Sequence, residues 1–296
     1  MRSPGLLMLL LAACSSGPPD PRIDDNPTFG QVLVLADQDL RPVIEDQRTT
    51  FEALYAKARI EVRYLPERQL VQAMLNDSVR AVFGSFMPGG DQQAYFRTRQ
   101  LTPFVEVVAT DAIAVLGHPA GPDSLSLDEL RGILTDGRLR DRTCTVLLDD
   151  PGSGVARTLV DSLWQGATDR ALKVQVAQGP EDLVQRLRTD STAIGLLAFS
   201  LLSDLDDPAC RALREGLRLV PVHRGVGPAL VPTQGTLKDG RYPLRRPLMM
   251  LVTEGKSGLG TGFASFVAGH KGQRILLKKG LAPAHVPARD VMIVTP

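Results

Sequence analysis

Apolar and polar positions along this chain alternate between a strand rhythm and a helix rhythm. Residues 31–36 read Gln-Val-Leu-Val-Leu-Ala, a continuous apolar run suited to a strand covered on both faces. The run ends at Asp37-Gln38-Asp39-Leu40, and Pro42 follows where the first turn of a helix tolerates it, so a helix is predicted to about Ala56. Residues 60–64 predict a second strand, 67–76 a helix, and 81–84 a third strand that meets Ser85-Phe86-Met87-Pro88-Gly89-Gly90. A helix is predicted over 91–100. A long strand follows at 104–116, interrupted at Thr110-Asp111. A run of that length can leave one lobe and enter another, which places a crossing near residues 116–118.

The middle of the chain repeats the pattern. Helices are predicted at 126–134, from Ser153, and at 180–189, with strands at Thr145, 173–176, 193–198 and 217–222. Ser126-Leu127-Asp128-Glu129 has the form of a capping box. The chain returns through a strand at 246–252 and closes on helices at 260–268 and 273–279. Alternation of this kind predicts a mostly parallel sheet with helices on both faces, and ligands at the carboxyl ends of the strands. The loops at 37–40, 66–67, 85–86 and 150–155 are therefore the ones that converge.

Asp149-Asp150-Pro151-Gly152-Ser153-Gly154-Val155-Ala156-Arg157 is the stretch with the clearest chemistry. A strand that turns through Gly and Ser into a helix leaves the first helical N–H groups without internal partners, at the positive end of the helix dipole. Such a turn is a seat for an anion. Ser153 can add a hydroxyl, the glycines admit an oxyanion to the main chain, and Arg157 can lay a planar guanidinium on its oxygens. The plain alternative is an ordinary N-cap at Ser153 and a solvated Arg157.

With 296 residues, 43% hydrophobic and 23% charged, the composition is that of a globular protein long enough for two lobes. A net charge of +1 gives no footprint for nucleic acid, so any bound anion depends on a local site. The chain has no Gly-x-Ser-x-Gly elbow, Walker loop or His-Glu-x-x-His motif, and its four histidines are scattered. No enzyme, cofactor or metal is expected. Residues 1–14 read as a processing segment: Arg2, an apolar run, then Leu11-Ala12-Ala13-Cys14. The run is too short for a spanning helix, which takes about 20 residues. It resembles the lipobox of bacterial lipoproteins, in which the cysteine, here Cys14, is lipidated; a plain secretory signal is the alternative. Residues 15–28 are polar and Pro-rich, as in a flexible tether. Cys144 and Cys210 remain, either as a disulfide or as two buried thiols.

Several strings then carry a family resemblance: Ala36-Asp37-Gln38-Asp39 with Pro42, Asp111-Ala112-Ile113-Ala114-Val115, the Asp149 to Arg157 stretch, and Ala193-Ile194-Gly195. The most specific is Tyr242-Pro243-Leu244-Arg245-Arg246-Pro247-Leu248. Together they resemble the phosphate-binding (PstS-like) lipoproteins of bacterial ABC uptake systems. The resemblance implies an α/β, two-lobed type II periplasmic-binding-protein fold, each lobe a mostly parallel sheet flanked by helices. Residues 29–116 and 246–296 would form lobe 1, and 117–245 lobe 2. It implies phosphate held by Asp37, Gln38, Asp39, Ser85, Ser153, Gly154, Val155 and Arg157, with Asp37 or Asp39 accepting the proton that sulfate lacks. The implied protein is a monomer anchored by lipid in the periplasm or at the cell surface, delivering phosphate or a similar oxyanion to ABC permease subunits. Phe86 stands where the family carries a charge, and Val155 where it carries a hydroxyl. Both remove polar partners, and point also to another oxyanion or to an envelope scaffold or sensor without a ligand.

Overall fold

The computed structural model describes residues 25–75, 79–165, 172–255 and 257–285. Cys14 and the tether as far as residue 24 lie outside the described residues. No helix among the described residues is long and apolar enough to cross a membrane.

The first apolar run forms β1 (Gly30–Asp37), which pairs in parallel with β2 (Ala58–Leu65) and β3 (Val79–Gly84) in the order β2-β1-β3. α1 (Arg41–Leu54) and α2 (Glu67–Ala73) are the crossovers, and α3 (Gly90–Thr98) follows β3. Pro42 lies in the first turn of α1, where its missing N–H has no helical partner to lose. β4 (Phe104–Gly117) then runs through the whole molecule. Beyond it come α4 (Leu127–Asp136), β5 (Thr145–Leu148), α5 (Gly154–Trp164), α6 (Pro180–Thr189) and β6 (Ala193–Ala198). α7 (Pro208–Arg214) and α8 (Gln234–Lys238) lead to β7 (Arg245–Val252), α9 (Leu259–Ala268) and α10 (His270–Lys278).

Two sheets share β4. Its residues 104–112 pair antiparallel with β7, which also pairs with β3. Its residues 113–117 pair antiparallel with β6, which pairs in parallel with β5. The hand-over falls at Ala112/Ile113, where the Ile113 N–H donates to Leu244 O at 2.8 Å. The strands are parallel where helices cross over and antiparallel where the long strands return. The strand expected at 217–222 is split into Arg218–Leu219 and Val222–His223. Pro221 lies between them and has no N–H to give a ladder.

β1 is covered on both faces toward its carboxyl end, with Val34, Leu35 and Ala36 at most 1% exposed. Phe263 of α9 packs edge-on against Phe51 and Phe83, with ring centroids 5.5 and 5.6 Å away, seating the helical layer on the sheet. The capping box forms as read: Ser126 Oγ accepts the Glu129 N–H at 3.0 Å and Glu129 Oε2 accepts the Ser126 N–H at 2.9 Å. Cys144 and Cys210 are free, buried thiols, which settles the open choice against a disulfide.

Candidate solute-binding site

The carboxyl end of β1 delivers three consecutive polar residues into the interior. Asp37 caps the turn at Gln38–Leu40, its Oδ1 accepting the Asp39 N–H at 3.1 Å, which is the turn chemistry that a short carboxylate favours. Asp37 and Asp39 are both buried, and Asp37 Oδ2 has no hydrogen-bond partner. Gln38 reaches across to the opposite loop, where its Nε2 donates to Asp150 Oδ2 at 3.3 Å. Burial, followed by the neighbouring Asp39, holds the Asp37 carboxyl well above the ordinary carboxylate range, and Arg246 offsets only part of this. Burial likewise raises Asp39, with Arg246 opposing the shift.

From the other side, α5 begins at the predicted turn. Ser153 is its N-cap, with Oγ accepting the Ala156 N–H at 3.3 Å. Gly154 faces the carboxylates of the first sheet so closely that a Cβ there would lie 2.6 Å from Asp37 Oδ2, 2.8 Å from Glu67 Oε2 and 3.0 Å from Arg246 Nη1. Here the need for glycine is one of space, since any side chain would displace the buried charged groups. The first amides of α5, with the positive end of its dipole, therefore open onto the point where the two sheets meet.

The guanidinium at that point belongs to Arg246, 1% exposed, on β7. Its cross-strand partner in the β4–β7 register is Asp111, and Arg246 Nε donates to Asp111 Oδ2 at 2.9 Å. Nη1 donates to Asp39 Oδ2 at 3.3 Å, and Nη2 lies 2.9 Å from Asp111 Oδ2 in the same ion pair. Burial works against its charge, but Asp111, Asp39 and Asp37 outweigh that and keep the guanidinium protonated. Asp111 also accepts the Ser200 N–H and hydroxyl, both at 3.0 Å, and Ser200 Oγ lies 3.1 Å from Asp39 O. The resulting network ties both sheets together at the hand-over.

The eight residues read from the sequence thus gather around one point, but in different roles. Ser85 is buried at the end of β3, with Oγ unpartnered. Val155 is fully buried in the core, so only its main-chain amide can serve a ligand. Arg157 is 37% exposed and already engaged: it bonds Glu67 and Asp161, and its Nη2 donates to Ser85 O at 2.7 Å. The buried cation is Arg246, visible in the sequence only inside the Tyr-Pro-Leu string. Glu67, read there only as the start of a helix, is 2% exposed and inside the site. Phe86 turns into a packing cluster with Leu35, Leu70 and Phe96 rather than standing at the seat. Because Gly84 has no side chain, the ring fits there; a Cβ at that position would meet it at 2.9 Å.

Two α/β sheets joined by a shared strand, with polar loops from both meeting in the middle, define the architecture of a type II periplasmic binding protein. A family model for the PBP superfamily domain matches residues 24–271, and the chain belongs to that family. No curated protein matches it. Among solved structures, it is similar to a candidate phosphate ABC transporter substrate-binding protein with bound phosphate from Clostridium perfringens. The identity is 18%, the TM-score 0.70, and the match covers 86% of this chain and 100% of that one. An ABC-type phosphate transport receptor from Vibrio cholerae matches at 12% identity and TM-score 0.67, over 86% and 100% of the two chains. A possible phosphate binding protein from Planctomyces limnophilus matches at 16% and 0.61, over 86% and 93%. At these identities the likeness is one of fold.

Proposed function

We propose that the chain is an extracytoplasmic solute-binding lipoprotein that captures inorganic phosphate, or an oxyanion of the same shape and charge, between two lobes for an ABC permease. Lobe 1 is residues 29–116 with 246–296, lobe 2 is residues 117–245, and Cys14 carries the anchor. The observation that carries this reading is the pair of buried oxygens without hydrogen-bond partners near the start of α5, Asp37 Oδ2 and Ser85 Oγ, beside the buried guanidinium of Arg246. A tetrahedral anion that keeps one proton matches that pair, accepting from Ser85, held by the nearby charge of Arg246, and donating to Asp37. Sulfate has no proton to offer and would meet a bare carboxylate. The fold neighbours described as phosphate receptors support the same solute class.

Calorimetry of the purified chain with phosphate and sulfate tests the assignment. Phosphate binds and sulfate does not, and Ser85→Ala weakens phosphate about tenfold, the value of one hydrogen bond to a charged group. Because Ser85 Oγ has no partner within the protein, its loss leaves the unfolding temperature unchanged. Absence of phosphate heat, together with no thermal stabilisation by phosphate, overturns the assignment. One observation favours a second reading, an envelope scaffold or sensor that takes no solute: the chain's own carboxylates and carbonyl already satisfy Arg157.

A further inference from the structure

Glu67 is the first residue of α2, on the side of the cleft that belongs to the β2-β1-β3 sheet. Its carboxylate makes the contacts that an oxyanion in this site would make. Oε2 accepts the Ser85 N–H at 3.1 Å and lies 2.8 Å from where a Cβ on Gly154 would sit, against the opening turn of α5. Oε1 takes the Nε–H of Arg157, which comes from the opposite side of the cleft. A strand-end amide and a guanidinium are donor types that hold small oxyanions, and the start of α5 lies beside them. Arg157 is further fastened by Ser85 O at 2.7 Å, and the Arg68 N–H donates to Gly152 O at 3.1 Å beside it. These links cross the cleft, so the carboxylate also fastens the two sides together.

We infer that Glu67 is an internal anion that holds the seat and keeps the lobes closed without solute, so that a bound oxyanion must displace it. This rests on the reading of the site as an oxyanion site. The charges around the seat require the exchange. Among the described residues, Glu67 pairs with Arg157, and Asp39 and Asp111 both pair with Arg246, with Asp37 beside them at Gly154. An added anion would place another like charge within contact distance of these carboxylates in a poorly screened interior. Displacement of one carboxylate by a singly charged solute leaves the total unchanged. Glu67 is thus a selectivity residue: it sets the threshold for closure around solute and favours a monoanion over a dianion. Its side chain is suited to leaving, with three rotatable bonds and an anchor at the end of a short helix.

The test uses the whole chain and its Glu67→Ser and Glu67→Gln variants, with inorganic phosphate as the probe, in small-angle scattering and calorimetry. Wild type without phosphate is compact, and its radius of gyration does not change when phosphate is added. Glu67→Ser is more open without phosphate, compacts when phosphate is added, and binds it about tenfold or more tightly than wild type. Glu67→Gln keeps the side-chain shape but not the charge, and shifts both readouts in the same direction, which covers a failure of the serine variant to fold. Equal radii for wild type and variants, with unchanged or weaker phosphate binding in the variants, overturn the inference. Opening of the variants with no phosphate response in any chain upholds the internal anion and overturns the phosphate assignment.

Discussion

Burial pushes the Asp149 carboxyl up to about 7, with Asp39 adding to the shift. An acid whose pKa is higher in the fold than in the unfolded chain holds its proton longer when folded. Its ionisation therefore costs stability progressively as pH rises from 3.8 through about 7, and the cost is complete above that. Asp37 and Asp39 are shifted in the same direction. Glu45, Glu129 and Asp182 are shifted downward, so their contribution changes only in the acid range below the ordinary carboxylate values. The chain should therefore melt at a lower temperature at about pH 8 than at about pH 5, the reverse of a protein held by exposed ion pairs. Asp149→Asn removes one titrating group and should flatten that slope, as read by calorimetric melting across the range. An unchanged slope in the variant removes Asp149 as its source.

At the scale of elements, close approach decides what the chain tolerates. A Cβ on Gly262 of α9 would lie 1.8 Å from Pro27 O, so the segment leading into β1 lies directly on that helix. Leu259 at the start of α9 is tied to the same segment, its N–H donating to Asp25 Oδ1 at 2.9 Å. Gly262→Ala should lift this segment and cost about 1–3 kcal/mol, as overpacking does. Gly132 of α4 has nothing within 4 Å of a built Cβ, and Gly132→Ala there should add roughly 0.5–1 kcal/mol by limiting the unfolded chain. Urea midpoints of the two variants should move in opposite directions. Nothing local distinguishes the two positions, because both glycines sit in helical stretches and only packing separates them. Local signals are what the sequence carries: the Pro42 helix start, the Ser126–Glu129 box, the strand at 193–198 and the turn into α5. Arg246 and Asp111 were legible as residues but not as a pair, since their contact depends on the register of strands 135 positions apart. The place of Phe86 is illegible for a similar reason: its ring direction is set by the room at Gly84, which no periodicity records.

For the whole molecule the consequence of a shared strand is cooperativity. β4 is a ladder partner in both sheets, and the Arg246–Asp111 pair with Ser200 lies where one sheet hands over to the other. Unfolding either half alone would strip one end of β4 of its partners. It would also expose a buried ion pair, and breaking such a pair costs about 3–5 kcal/mol. Trp164, the chain's single tryptophan, lies at the end of α5 and packs against the core, so its fluorescence reports the half built around β5 and β6. Far-UV circular dichroism reports helices in both halves. The two signals should give the same thermal midpoint within about 2 °C, and the same urea midpoint, as one all-or-none transition requires. In Asp111→Asn, which takes a charge from Arg246, both midpoints should fall together. A fluorescence transition that precedes or follows the dichroism in the unmodified chain would mean that the halves unfold separately, and that β4 is a tether between them rather than their common core.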